Sequence, residues 1–292
     1  MSELRKSVRA LGIDDPEAAI SVHALLGSDA SLLAHAGELP RTRNDVPDWV
    51  KSTFLNADNP LFGLAEHAVS TRLGEEPDEG VDKVLSLLNV RPRAIDDLTA
   101  MSSLAEIELE PMLTRLAEAG IIRADPDPLR PDHPFWTVDD RFVRFHYAML
   151  AENLDRWRRG RITDKLWSMT HARFDRYVCR PEFTRLAREW ALGDPAAAQV
   201  TRIVVPDPRH RQLRTLEVAA WDGSGELLAL GTVRWAFRMR HRQLQRLKYV
   251  RRLLGDPPVR LYCIAPRVDA EIAADTEPGL FRIGPAHLLR GD

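Results

Sequence analysis

The hydrophobic pattern changes period near Gly193-Asp194-Pro195, and this change constrains the fold more than any other feature of the chain. Before it, apolar residues recur at three- and four-residue intervals, as one face of a helix requires. After it come short apolar runs separated by turn residues, as strands require. The chain therefore reads as an α+β protein of more than one domain, helices first and an α/β unit second. Its 292 residues suit two domains at roughly 150 residues each, or three small ones.

In the first part, Asp14 and Asp15 can cap a helix that takes Pro16 in its first turn. Ala18, Ile20, Val22, Leu25 and Leu26 supply its apolar face, and Gly27 ends it. Shorter helices are expected over Ser31–Ala36, around Trp49, Val50, Phe54 and Leu55, and over Leu61–Leu73 after the turn Asn59-Pro60. The clearest unit follows. Val81, Val84, Leu85, Leu87 and Leu88 mark one helix, Ile95, Leu98 and Met101 a second, and Pro111, Met112, Leu113, Leu116 and Ala119 a third that stops at Gly120. Ile121-Ile122-Arg123 and Phe135-Trp136-Thr137-Val138 read as a two-stranded ribbon, with Pro126, Pro128 and Pro131 at its tip. Three short helices and a ribbon make a winged helix-turn-helix pattern. The aromatic stretch Asp139–Trp157 is expected to pack between domains, and residues 158–192 to be helical.

In the second part, Ile203-Val204-Val205, Thr215–Trp221 and Leu227–Trp235 read as strands, the last two joined by the turn Asp222-Gly223-Ser224-Gly225. A long basic helix is expected over Phe237–Leu254 and a buried strand over Arg260–Ala265. The expected partition is 1–76, a helical region and linker; 77–140, the winged helix; and 141–292, linker helices and the α/β domain.

The net charge of −2 conceals an asymmetry. Residues 1–132 hold 13 Lys/Arg and 24 Asp/Glu, a net −11, whereas residues 133–292 hold 28 and 19, a net +9. Such a split concerns partners. Arg234, Arg238, Arg240, Arg242, Arg246, Lys248, Arg251 and Arg252 follow one another with no acid between them. That run suits the phosphates of duplex DNA, or an acidic protein surface, including the chain's own acidic half. The third helix of the winged-helix pattern instead carries Glu106, Glu108, Glu110 and Glu118 against Arg115 alone. Phosphates repel such a helix, so a protein contact is the expectation for it.

Cys179 and Cys263 are the only cysteines, too few for a disulfide framework or a zinc site. The nine histidines show no ligand spacing, and no G-x-S-x-G occurs. Neither a metal nor another cofactor is expected. The N-terminus lacks a signal-peptide apolar region and no run of 18 apolar residues exists, so a cytoplasmic protein without a membrane partner is expected.

The order of elements resembles the C-terminal region of the archaeal-type ATPases of the AAA+/STAND group, in which a P-loop module precedes a winged helix and a restriction-endonuclease-like domain. Phe54-Leu55 with Asn59-Pro60-Leu61-Phe62 resembles the family's post-ATPase linker. Pro111-Met112-Leu113-Thr114-Arg115-Leu116 with Gly120-Ile121-Ile122 resembles the end of its recognition helix. Most specific is Phe135-Trp136-Thr137-Val138-Asp139-Asp140-Arg141-Phe142-Val143-Arg144-Phe145, similar to the family's Y-x-I-x-D-P-F-L-R-F-W.

Two departures limit what the resemblance implies. No G-x-x-x-x-G-K-[ST] is present, so the chain is not expected to bind ATP. Either the module was lost or the chain starts after it. The nuclease-like site is also altered. The family places an acidic residue on one strand and E-x-K on the next, the carboxylates for Mg²⁺ and the Lys for the attacking water. Here Glu217 holds the first position, but Thr232 and Arg234 stand where the Glu and Lys would be. The resemblance thus implies a degenerate nuclease-like domain that binds or regulates at DNA without cutting it, with Arg238, Arg240, Arg242, Arg246 and Lys248 as phosphate contacts. Two alternatives stay open: a protein-interaction module using the oppositely charged halves, and a residual Mg²⁺-dependent nuclease recruiting Glu189 or Glu226 beside Glu217.

Overall fold

The computed structural model describes residues 3–160 and 164–290. Helices α1 (Glu3–Arg9), α2 (Pro16–Leu26), α3 (Ala30–Leu33), α4 (Val46–Ser52), α5 (Pro60–Glu66) and α6 (Ala68–Leu73) come first. They precede α7 (Glu79–Val90), α8 (Ile95–Ser102), α9 (Glu106–Glu118) and strands β1 (Ile122–Asp125) and β2 (Phe135–Val138). Helices α10 (Arg141–Phe145), α11 (Leu154–Arg158), α12 (Asp164–Arg173) and α13 (Arg180–Leu192) follow, with wider π-type turns at His146–Leu150 and Phe174–Cys179. Strands β3 (Gln199–Asp207), β4 (Gln212–Trp221) and β5 (Leu227–Val233) then lead through α14 (His241–Leu253) to β6 (Arg260–Ile264), α15 (Ala270–Ala274), β7 (Leu280–Ile283) and α16 (Pro285–Arg290). None of these helices is long and apolar enough to cross a membrane.

Contacts divide this mixed α/β chain into two bodies. One comprises residues 11–125 and 132–179; the other comprises 1–10, 126–131 and 180–292. Residues 141–179 pack within the first body.

The first body is built on local signals. Asp15 caps α2 through its side chain, which accepts from the Glu17 N–H at 2.8 Å, and Pro16 fills the first turn. Asn59 does the same for α5, accepting from the Leu61 N–H at 2.9 Å. A core of Val81, Val84, Leu85, Leu88, Leu98, Leu109, Leu113 and Leu116 ties α7, α8 and α9 to the β1–β2 ribbon through Ile122 and Val138. The ribbon is antiparallel, with Ile122 opposite Val138 and Asp125 opposite Phe135. Arg93, just before α8, exchanges two backbone hydrogen bonds with Trp136 (3.1 and 2.8 Å), which adds a one-residue third strand not expected from the sequence. From the aromatic stretch after β2, Val143 and Tyr147 join this core; Phe145, Leu150 and Trp157 are fully buried as well, and the Trp157 indole N–H donates to the Met149 carbonyl at 3.0 Å.

The second body is a five-stranded sheet in the order β3-β4-β5-β6-β7. The β3-β4-β5 meander is antiparallel, and β6 and β7 join it in parallel. One face carries Ile203, Val205, Leu216, Leu230 and Leu261, against which α14 buries Leu244, Leu247 and Val250. Helix α13 packs on β3 and β4. Gly231 is required where β5 passes its neighbours, because a Cβ there would lie 3.1 Å from the Cβ atoms of both Val218 and Tyr262. The residues 126–131, expected at the ribbon tip, also belong to this body. Asp127 among them is fully buried and accepts from the Val204 N–H at 3.3 Å.

Two expectations need correction here. The basic helix starts at His241, not Phe237. Ala236 takes a left-handed turn at φ 59°, and Met239 is drawn into extended pairing, its N–H donating to the Arg267 carbonyl at 2.8 Å. Both features are incompatible with a helix, so Arg238 and Arg240 precede α14 rather than lie on it. The strand expected to reach Trp235 stops at Val233. Helices α1, α15 and α16 and strand β7 had no counterpart in the sequence reading.

Candidate site on the β4–β5 hairpin

Residue alternation along β4 puts Leu216 into the α14 core and turns Glu217 toward the other face. An extra residue in β4, between the pairs Ile203–Leu216 and Thr201–Ala219, makes a β-bulge at Glu217-Val218. Bulges of this kind re-aim a side chain and are frequent beside functional sites. The hairpin turn is closed by Asp222, whose Oδ1 accepts from the Ser224 and Glu226 N–H groups, each at 2.8 Å.

Both oxygens of the Glu217 carboxylate accept hydrogen bonds. Oε1 accepts from Arg180 Nη2 at 2.6 Å. Oε2 accepts from the Thr232 hydroxyl and from the Val233 N–H, both at 3.3 Å. Arg188, two turns after Arg180 on α13, donates from Nε to the Glu217 carbonyl at 2.9 Å. The side chain of Glu217 is only 15% exposed. Burial alone would raise its pKa, but attraction to Arg180, Arg202 and Arg234 outweighs burial and holds it below the ordinary Glu value. The carboxylate is therefore ionised at neutral pH.

Thr232 is buried and spends its hydroxyl on Glu217. Arg234 follows β5, its backbone N–H donating to the Ile264 carbonyl at 2.9 Å. Its guanidinium is half-buried, and burial together with the like charges of Arg180, Arg246 and Arg242 lowers its pKa, partly offset by Glu217. Arginine stays protonated through such a shift. Of the other sequence-selected cations, Arg238, Arg240, Arg242 and Arg246 are exposed. Arg246 reaches the Thr215 carbonyl at 3.3 Å, which holds it near β4. Lys248 is engaged elsewhere, 2.8 Å from Asp275 and 2.6 Å from Glu277.

The residues do not fit a divalent metal. Mg²⁺ sites need several oxygen donors around the ion, and the donors shown on Glu217 are a guanidinium, a hydroxyl and a backbone N–H. Glu226 is exposed in the hairpin turn, level with Asp222, five strand positions and about 16 Å from Glu217 at roughly 3.3 Å per residue. Glu189 follows Arg188 on α13 and so points about 100° away round the helix. Among the described residues no three His, Cys, Asp or Glu side chains gather as a metal site.

Sequence reasoning brought Glu217, Thr232 and Arg234 to adjacent strand positions but missed Arg180, Arg188 and Arg202. A signal for two of them was present. Arg180, Thr184 and Arg188 are spaced four apart on an amphipathic helix, which places them on one face. Nothing in the sequence says that this face meets β4. No family model, no curated protein and no solved structure matches the chain.

Proposed function

We propose that this chain is a non-catalytic, nuclease-like module that binds the phosphate backbone of duplex DNA. The observation that carries the reading is the division of charge at the β4–β5 hairpin. The acidic position is held by Arg180, while the side chains of Arg234, Arg238, Arg240 and Arg242 make no hydrogen bond or ion pair among the described residues. Such guanidiniums, with Arg234 beside the neutralised carboxylate, suit phosphate oxygens, and Thr232 and Arg234 do not supply the carboxylate and Lys that hydrolysis needs. The order helix, three-stranded meander, helix, parallel strand supports a restriction-endonuclease-like assignment for the second body. The α7-α8-α9 unit with the β1–β2 ribbon supports a winged-helix assignment in the first.

That winged helix favours a protein partner. Helix α9 exposes Glu106, Glu108, Glu110 and Glu118, and among them Ile107 is 80% exposed. An apolar side chain set among acids suits a basic, partly apolar protein surface, not a groove lined by phosphates. Incubation with supercoiled plasmid and Mg²⁺ or Mn²⁺ tests the main reading. Retardation without nicking is expected. Nicking that Glu217→Ala abolishes contradicts the non-catalytic reading, and absence of retardation contradicts the DNA reading.

A further inference from the structure

We infer that Arg180 is the resident cation of the Glu217 site, standing where a divalent metal would otherwise sit, so that the site receives a phosphodiester oxyanion without any metal. The inference rests on the phosphate-backbone reading for its ligand, but the cation assignment stands on geometry of its own. The guanidinium lies 2.6 Å from Oε1, and the same Nη2 approaches the Val233 carbonyl at 3.5 Å. The other carboxylate oxygen is closed by Thr232 and Val233. A metal bound through both oxygens of Glu217 would displace three donors, and among the described residues no three His, Cys, Asp or Glu side chains gather to complete its shell.

Arg180 is also held in place. It opens α13, where the Thr184 hydroxyl donates to its carbonyl at 2.8 Å, and its side chain is 27% exposed. A guanidinium here differs from a metal in two ways. It cannot be removed by a chelator, and it does not lose its charge at any accessible pH. An oxyanion arriving beside Arg234 then meets Arg180, Arg202 and Arg234 against one carboxylate. Glu217 therefore moderates the positive field instead of building the binding site. Removing its charge should tighten phosphate binding, the opposite of what removing a metal ligand does.

Two measurements on the full chain separate this inference from the functional reading. Mn²⁺ is titrated into wild type and Glu217→Gln, with the free ion followed by electron paramagnetic resonance. Duplex affinity is measured by fluorescence anisotropy in EDTA and in Mg²⁺ at equal ionic strength, for wild type, Glu217→Gln and Arg180→Met. No Mn²⁺ site tighter than about 1 mM that depends on Glu217 is expected. The wild-type duplex Kd should agree within about twofold between EDTA and Mg²⁺, Glu217→Gln should bind about two- to tenfold more tightly, and Arg180→Met should bind about tenfold more weakly. Glu217→Gln keeps the shape of the site and carries the test if Arg180→Met does not fold. A wild-type Mn²⁺ site lost in Glu217→Gln overturns the inference whatever the duplex does. So does duplex binding that needs Mg²⁺, or that weakens in Glu217→Gln. Wild type failing to bind duplex in every buffer overturns the phosphate-backbone reading, and the Mn²⁺ titration still decides the role of Arg180.

Discussion

Lys248 Nζ lies 2.8 Å from Asp275 Oδ2 and 2.6 Å from Glu277 Oε2, and Arg251 Nη1 shares Glu277 at 2.8 Å. The basic run 234–252 is thus divided. Its second half is partly neutralised by the segment before β7, whereas the side chains of Arg238, Arg240 and Arg242 make no hydrogen bond or ion pair among the described residues. Lys248→Met should therefore change duplex affinity by less than about twofold while lowering stability by about 1 kcal/mol, the value of a partly shielded ion pair. Arg242→Ala should do the reverse, weakening duplex binding severalfold with no loss of stability. Anisotropy and urea denaturation on the same preparations check both.

Asp207, at the end of β3, is fully buried and accepts from Arg214 Nε (2.9 Å), His210 Nδ1 (2.9 Å) and the Tyr249 hydroxyl (3.0 Å). Burial would raise its pKa, but these donors outweigh it and bring the pKa from 3.8 down to about 2. Because the folded value is depressed, the stabilisation is complete above about pH 4 and is lost as the pH falls toward 2. Urea midpoints at pH 7, 4 and 2.5 should show wild type losing stability over the lower interval. Asp207→Asn should be less stable at pH 7 and lack this component of the acid loss. Equal acid sensitivity in the two proteins would contradict the assignment.

Both thiols are buried. Burial pushes Cys179 up to about 12, against the opposing charge of Arg43, and pushes Cys263 up to about 11. The thiolate is the reactive form. Neither cysteine should be alkylated by iodoacetamide at pH 8 in the folded protein, and both should react at once in denaturant, as mass spectrometry reads.

Gly231→Ala places a methyl group 3.1 Å from the Cβ atoms of Val218 and Tyr262, in the centre of the sheet. Overpacking of this kind costs about 1–3 kcal/mol. Chemical denaturation should show that loss, and a neutral result would mean that β4 and β6 lie farther from β5 than described.

Much of the fold was legible from local chemistry. Asp15, Pro16 and Gly27 bound α2 where capping rules place it, and Asn59-Pro60 opens α5. The β4–β5 hairpin follows from its turn residues. What escaped was set by distant contacts. β7 is a four-residue edge strand whose identity comes from pairing Leu261 with Leu280, and Arg93 becomes a strand residue only because Trp136 reaches it. The basic helix was read too long because charge continuity does not report the left-handed turn at Ala236. The site divides the same way. Glu217, Thr232 and Arg234 could be aligned along two strands, whereas the partner of Glu217 is Arg180, 37 residues away on another element.

The salt dependence of duplex binding tests the central claim most directly. If Arg234, Arg238, Arg240, Arg242 and Arg246 contact phosphates, the plot of log K against log salt should have a slope of about −4.5, at roughly −0.9 per phosphate. Replacing the exposed Arg238, Arg240 and Arg242 together by Ala should flatten it to about −2 without changing stability. No binding at low salt, a slope near zero, or a triple variant indistinguishable from wild type would contradict the account.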